Sequence, residues 1–160
     1  MELNTRRCMQ CKGEMAMTVL DPIAGEDQGT RLRIERMPAM CCAEGHRRFI
    51  APEFAVRMME TFLAAGPLAP LDAAAEKGLL RKRLHCPGCG AELSEPAADR
   101  VRAGRAVAIK GLEAFDVQVE VPKYRCAGCG KESLPPGKTL NDGLMKASVQ
   151  AFRAAQLTPT

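Results

Sequence analysis

Residues 84–93 read LHCPGCGAEL, and residues 121–133 read VPKYRCAGCGKES. Each stretch holds a Cys-x-x-Cys turn followed at once by a glycine, Gly90 or Gly130, which suits the positive φ that this position needs. Two such turns supply four thiolates, the donor set that a tetrahedral zinc ion favours. We therefore predict a zinc site formed by Cys86, Cys89, Cys126 and Cys129.

The residues between these two turns show the alternation of a half-buried strand. In FDVQVEV, residues 115–121, apolar Phe and Val alternate with Asp, Gln and Glu. An earlier strand from Arg105 to Ile109 would pair with it through a turn at Lys110-Gly111. The two cysteine turns are thereby predicted to lie at the base of a short antiparallel hairpin.

The N-terminal half repeats this pattern. Residues 8–15, CMQCKGEM, match residues 86–93, CPGCGAEL, at both cysteines, at the glutamate and at the apolar residue that follows it. Residues 37–46, MPAMCCAEGH, match VPKYRCAGC at 121–129 and place Cys42 over Cys126. Internal similarity of this kind indicates that each half runs ligand pair, hairpin, ligand pair and helix.

The ligands of the first site follow from this repeat. Cys41 lies over an arginine of the second half and becomes a spare thiol, while His46 is the nitrogen donor nearest to Cys42. His85 precedes a site that already has four thiolates, so we do not expect it to bind metal. We predict a first zinc site from Cys8, Cys11, Cys42 and His46. The alternative is that Cys41, in the spacing Cys41-x₄-His46, replaces Cys42 as a ligand.

Strands and helices can be placed around the first site. Leu32 and Ile34 alternate with charged residues, and Thr18–Leu20 would supply the partner strand. A helix should open at Pro52-Glu53 and close at Gly66-Pro67. Its apolar stripe is formed by Phe54, Met58 and Phe62.

A second helix should start near Thr139 or Asn141 and carry an apolar stripe of Met145, Val149 and Phe152. We expect each helix to pack against the ribbon of its own half. The sequence thus predicts a small metal-dominated α+β protein of two tandem zinc ribbons, each a short antiparallel β-hairpin followed by a helix. The predicted domains are 1–66 and 84–160, with a linker at 67–83 that holds a short helix capped by Asp72.

Composition bounds the cellular setting and the charge. The start of the chain has no apolar leader region, and no stretch approaches the roughly twenty apolar residues of a membrane-spanning helix. Eight cysteines without a leader indicate a reducing, cytoplasmic setting in which thiols hold metal, here two zinc ions per chain. The formal charge of +4 also falls by about three, because seven thiolates outweigh two Zn²⁺ ions.

These features favour a binding protein over an enzyme. Both sites have four protein ligands, whereas a catalytic zinc keeps a position open for water, and no catalytic triad, carboxylate pair or phosphate loop is visible. The leading hypothesis is a non-enzymatic adaptor for a protein partner. The second hypothesis is a nucleic-acid-binding ribbon that uses Arg47, Arg48, Arg81, Lys82, Arg83, Arg100, Arg102 and Arg105. The third hypothesis is a thiol-based zinc or redox sensor that uses Cys41.

The order C-x-x-C-x-G-E, charged hairpin, M-P-A-M-C-C and helix resembles the YgiT-type zinc-finger family. Members of that family form the toxin-binding half of some bacterial antitoxins. The resemblance covers residues 6–65 and, more loosely, 84–155. It implies zinc ligation by Cys8, Cys11 and Cys42, with His46 replacing the expected fourth cysteine one position late. A second ribbon occupies the place of the family's DNA-binding helix-turn-helix, so operator binding is not implied.

Overall fold

The computed structural model of the protein describes residue 1 and residues 6–158. Within these residues the chain forms mostly strands and two helices, which confirms the α+β class. The strands, in chain order, are β1 Met15–Val19, β2 Ile23–Asp27, β3 Thr30–Glu35, β4 Pro38–Cys42, β5 Arg47–Arg48, β6 Ala75–Lys77, β7 Arg83–His85, β8 Glu92–Leu93, β9 Arg100–Val107, β10 Phe115–Pro122, β11 Tyr124–Arg125, β12 Glu132–Ser133 and β13 Leu157–Thr158. The helices are α1 Phe54–Ala64 and α2 Gly137–Ala154.

The hairpins of the two halves share one sheet, with the strand order β2-β3-β10-β9. Strand β3 pairs antiparallel with β10, so that Leu32 lies opposite Val119 and Ile34 opposite Val117. All four side chains are buried. The apolar rows that the alternation predicted in each half therefore meet side by side in a common core.

The partner predicted for β3 is wrong. Residues Met15–Val19, which include most of the predicted partner, pair with β4, and the hairpin partner of β3 is β2. The β2–β3 connection consists of Gln28 and Gly29, both with positive φ (45° and 84°), as a two-residue hairpin turn requires. This short turn joins adjacent strands directly, whereas the predicted pairing needed a long loop.

The second hairpin differs from its prediction in the extent of its first strand. Strand β9 begins at Arg100, five positions before the predicted start, and pairs with β10 along its whole length. It lies at the edge of the sheet and is rich in arginine, so it carries no clear period-two signal. The predicted turn at Lys110-Gly111 is confirmed, and Gly111 has a φ of 88°.

Helix α1 is amphipathic in the way its sequence predicts. Phe54, Met58 and Phe62 are fully buried. The helix lies against β9, and the ring centroid of Phe54 lies 5.6 Å from that of Phe115 on β10. The first helix therefore lies on the hairpin of the second half.

Helix α2 begins at Gly137, two residues before the earliest predicted start, and buries a different face from the one predicted. Met145 and Val149 are 61% and 43% exposed, while Phe152 is buried as expected. The buried face is made mainly of small residues and lies on β2 and β3 of the first half. Its members are Leu144, Ala147, Ser148, Ala151 and Phe152.

A close approach of backbones explains why small residues face the sheet there. A Cβ atom added to Gly25 on β2 would lie 2.1 Å from the carbonyl oxygen of Ala147 and 2.4 Å from the amide nitrogen of Ala151. Large residues cannot occupy such a contact, so the stripe of large residues was a misleading signal. Each helix thus packs across the repeat, and both helices contribute to one core.

The segment predicted as a linker lies on the second cysteine cluster. The short helix predicted at Asp72 is wrong: β6 forms a hairpin with β7, and β7 pairs in turn with β8. The amide of Ala74 donates to the carbonyl of Leu134 at 2.8 Å, and Ala74 is buried beside Cys86 and Cys126. Backbone bonds of this kind satisfy groups that a short helix would have left unpaired at its ends.

Neither helix in the described part of the chain is long and apolar enough to cross a membrane.

Candidate metal centres

The two Cys-x-x-Cys turns of the second half have the same backbone geometry. The amide of Cys86 donates to the carbonyl of Ala91 at 2.8 Å, and the amide of Gly90 donates back to the carbonyl of Cys86 at 3.0 Å. The turn at Cys126 repeats this pair of bonds through Lys131 and Gly130, at 2.9 and 2.8 Å. Gly90 and Gly130 have φ values of 78° and 76°, as their sequence positions predicted.

These turns bring four sulfurs together. The Sγ atoms of Cys86 and Cys129 lie 3.6 Å apart, and those of Cys89 and Cys126 lie 3.5 Å apart. Two sulfurs bound tetrahedrally to one zinc at about 2.3 Å would lie about 3.8 Å apart. The four ligand atoms all lie within 4.8 Å of one another, so the cluster could hold a metal ion.

The first cluster joins one turn of this kind to a tighter one. The amide of Cys8 donates to the carbonyl of Gly13 at 2.8 Å, whereas the amide of Cys42 reaches the carbonyl of His46 at 3.1 Å, one residue fewer along the chain. Gly45 supplies the positive φ of this second turn, 83°. The donor of this tighter turn is His46, which follows Gly45 directly.

His46 presents its Nδ1 atom to the sulfurs. This nitrogen lies 3.5 Å from the Sγ of Cys8 and 3.4 Å from that of Cys42, and the Sγ atoms of Cys11 and Cys42 lie 3.7 Å apart. Edges of this length match a tetrahedron of three sulfurs and one nitrogen, whose sulfur–nitrogen edges would be about 3.6 Å. The first cluster could therefore hold a second metal ion.

The cysteine and histidine left outside the clusters have other surroundings. Cys41 lies next to Cys42 on β4, opposite Ala16 on β1, and burial raises the pKa of its thiol. The Nδ1 atom of His85 lies 3.2 Å from the carbonyl of Arg83. The structure thus places the eight predicted ligand residues in two groups of four, with Cys42 rather than Cys41 in the first group.

Backbone amides prepare each cluster for a cation. The amides of Cys11 and Gln10 lower the pKa of Cys8 to about 6. The amides of Cys89 and Gly88 likewise lower the pKa of Cys86 to about 6. These hydrogen bonds favour a thiolate at neutral pH, the form that binds metal.

Cys89 of the second cluster behaves differently because other thiols lie close to its sulfur. The amide of Ala91 lowers the pKa of Cys89, but the neighbouring thiols of Cys126 and Cys129 outweigh it and raise the pKa to about 11. Without a cation, four sulfurs this close cannot all carry a negative charge. A bound divalent cation would remove that repulsion, so the donor set and its spacing both fit a metal ion.

A lysine lies beside the second cluster that the sequence does not mark as part of the site. Lys131 follows Gly130, and its Nζ donates to the carboxylate of Asp72 at 2.8 Å. The carboxylate of Asp72 raises the pKa of Lys131, and the sulfurs of Cys86 and Cys129 add to this effect. Only the three-dimensional contact with Asp72 distinguishes this residue, since a lysine after a Cys-Gly pair is otherwise an ordinary surface residue.

The basic residues proposed to contact nucleic acid are mostly neutralised or buried. Arg48 is only 4% exposed. Four others form ion pairs with carboxylates: Lys82 with Glu76, Arg83 with Glu92, Arg100 with Glu26 and Glu120, and Arg102 with Glu120. A polyanion would have to displace these carboxylates before it gained the charge of the side chains.

No protein-family model matches the chain, and comparisons with curated proteins and with solved structures give no match. The fold and the clusters define the class: a small α+β protein with two cysteine-rich centres that could each hold a metal ion.

Proposed function

We propose that this chain is a non-enzymatic adaptor that holds two structural zinc ions and presents a fixed apolar surface to a protein partner. Two observations support the proposal: each cluster offers four protein donors to its own ion, and the second cluster lies at the base of a hairpin with an exposed apolar tip. Four protein donors leave no position for a substrate or water, so the metal would act on folding, not on catalysis.

Zinc is proposed from the donor set. Three or four sulfurs in a compact tetrahedral arrangement favour zinc or iron among common metals. Metal analysis by mass spectrometry of protein purified without added metal should find about two zinc ions per chain. Iron in their place, or cysteines oxidised in pairs, would contradict this part of the proposal and reopen a redox role.

The apolar surface is the tip of the β6–β7 hairpin, formed by Leu79 and Leu80 and called here the leucine tip. Both side chains are fully exposed, at 103% and 102%. Gly78 fixes the turn: its φ is 123°, and a Cβ added there would lie 2.1 Å from the carbonyl oxygen of Arg81. Two adjacent leucines that are exposed to solvent in a defined turn do not stabilise the fold, so a binding surface explains them better.

The second cluster would hold this tip in place. Strand β7 carries the chain from the tip directly to Cys86, and it pairs with β8, which follows the turn at Cys89. Ala74, just before β6, is buried against Cys86 and Cys126. Metal binding would therefore rigidify the base of the hairpin and lower the entropy lost when the tip docks.

A site-specific photo-crosslinker at position 79 tests the proposal in the native host. We expect it to capture a defined protein, and a crosslinker at exposed Met145 on α2 not to capture that protein. Leu79→Ser/Leu80→Ser should lower co-purification of the captured protein at least tenfold, whereas Met145→Ser should leave it unchanged. The same proteins captured from both positions, or unaffected by the double substitution, would refute the role of the tip.

The resemblance to the YgiT-type family makes a toxin protein one candidate partner. Identification of the crosslinked protein by mass spectrometry decides between a toxin and a subunit of a larger assembly.

A further inference from the structure

A cleft of about 380 Å³ lies beside the first cluster, between the turn at His46 and the end of α2. Its polar lining comes from Gln10, His46, Arg47, Arg153, Gln156 and Thr158. Two arginines and two glutamines thus line one space, and none of the residues that line it is an aspartate or a glutamate. This lining contrasts with the central sheet, where arginines are paired with carboxylates.

The two arginines are held by separate elements that pack together. Arg47 lies on β5, which pairs in parallel with β13, and its Nη1 donates to the carbonyl of Ala155 at 3.3 Å. Arg153 lies in the last turn of α2. An edge-to-face contact between Phe49 and Phe152, with centroids 4.8 Å apart, locks the two elements together. The cleft is therefore formed by the fold and does not need a ligand to assemble it.

His46 adds a third donor because of the way its ring is turned. Since Nδ1 points at the sulfurs, a metal bound there leaves the ring proton on Nε2. A cysteine at this position would complete the metal site equally well but would offer no donor to the cleft. The shortened turn that places a histidine here thus has a chemical consequence beyond the metal site.

We propose that this cleft binds an oxyanion, a phosphate or carboxylate group, between Arg47, Arg153 and the Nε2–H of His46. Guanidinium groups bind such anions through charge-assisted hydrogen bonds, and an imidazole N–H donor adds direction. The two arginines also offset the net negative charge that three thiolates and one Zn²⁺ give the first centre. The inference does not depend on the leucine tip or on the identity of a protein partner.

The test uses the zinc-loaded chain with ¹⁵N-labelled histidine. Titration with inorganic phosphate should shift the Nε2 resonance of His46 in a saturable way and leave His85 unmoved. A parallel titration with citrate decides whether phosphate or carboxylate is preferred. Either ligand that saturates below about 10 mM supports the cleft, and the absence of saturation with both overturns it.

Three variants distinguish anion binding in the cleft from nonspecific attraction to positive charge. Arg153→Gln should weaken binding about tenfold or more, because a hydrogen bond to a charged group is lost. Arg57→Gln removes another exposed helical arginine, outside the cleft, and should leave binding unchanged. His46→Cys should keep about two zinc ions and still bind more weakly. Equal effects of Arg153→Gln and Arg57→Gln would overturn the proposal even if His46→Cys failed to load metal.

Discussion

At the scale of single residues, the three Cys-x-x-Cys turns show how local conformation prepares a centre. Gly90 and Gly130 adopt φ values of 78° and 76°, and Lys12 occupies the equivalent place after Cys11 with a φ of 61°. A side chain in this region is strained, and Lys12 offsets part of the strain by donating from Nζ to the carbonyl of Met9 at 3.0 Å. The first turn thus tolerates a residue that the other two avoid.

This difference predicts opposite responses to substitution. Gly90→Ala should destabilise the metal-loaded protein by about 1 kcal/mol, and the cost should be purely conformational, because an added Cβ meets nothing within 4 Å. Lys12→Gly should be neutral or stabilising by up to about 1 kcal/mol. Urea unfolding of both variants measures the two effects. An unchanged free energy of unfolding for Gly90→Ala would contradict a conformational strain at this position.

The neighbouring thiols of β4 offer a matched pair for the first centre. Cys42 contributes its sulfur to the cluster and Cys41 does not. Cys42→Ser should therefore reduce the metal content from about two ions to about one, while Cys41→Ser should keep both. Native mass spectrometry gives the stoichiometry directly, and a loss of metal from Cys41→Ser would show that the wrong sulfur had been assigned.

At the scale of elements, the contact between β2 and α2 sets the position of the second helix. Thr30 on β3 packs closely against the same helix: a Cβ added to Gly143 would lie 2.8 Å from the Oγ1 atom of Thr30. Two glycines on opposite sides of the contact bring the helix and the sheet closer than larger residues would permit. The hydroxyl of Ser148 is satisfied within the helix by the carbonyl of Leu144 at 2.8 Å.

Gly25→Ala should accordingly be among the more damaging single-methyl additions in the chain. Its Cβ would overlap the backbone of α2, so we expect a loss of about 1–3 kcal/mol or more. Gly137→Ala is the matched control, since its Cβ meets nothing within 4 Å at the start of the same helix. A comparison of urea midpoints tests the pair, and equal stabilities would mean that the helix can move away without cost.

Particular residues show how far the sequence could go. The ligand turns were predictable because their spacing and glycines are local signals of geometry. The alternation at Leu32 and Val119 indicated burial but carried no information on which row would meet which, so the shared sheet could not be foreseen. The large apolar residue Met145 suggested the wrong buried face of α2, because the contact of α2 with the sheet is made by small residues. The orientation of the His46 ring, with Nδ1 toward the sulfurs, has no signal in the sequence, because either ring nitrogen can bind a metal.

At the scale of the whole molecule, the two centres stand in different relations to the core. Cys8 and Cys42 belong to the main apolar cluster that includes both helices and the central sheet. Cys86 and Cys126 belong to a small separate cluster with Ala74 and Leu93. The first metal would therefore support the core itself, and the second would support mainly the hairpin that carries the leucine tip.

Loss of the second metal should leave most of the fold intact. Cys129→Ser should abolish that centre and increase hydrogen exchange in β6, β7 and β8, while the helical circular dichroism signal stays close to its original value. Cys11→Ser, which disrupts the first centre, should lower the unfolding temperature further. Equal loss of helix signal in both variants would show that the molecule folds as one unit around both metals.

The seam between β3 and β10 has a consequence for separating the two halves of the chain. Leu32 lies opposite Val119 and Ile34 opposite Val117, and all four side chains are buried. Helix α2 of the second half also lies on β2 and β3, and helix α1 of the first half lies on β9. A half cut from its partner would therefore expose an apolar sheet face and an apolar helix face to water, so we expect neither half to be stable on its own.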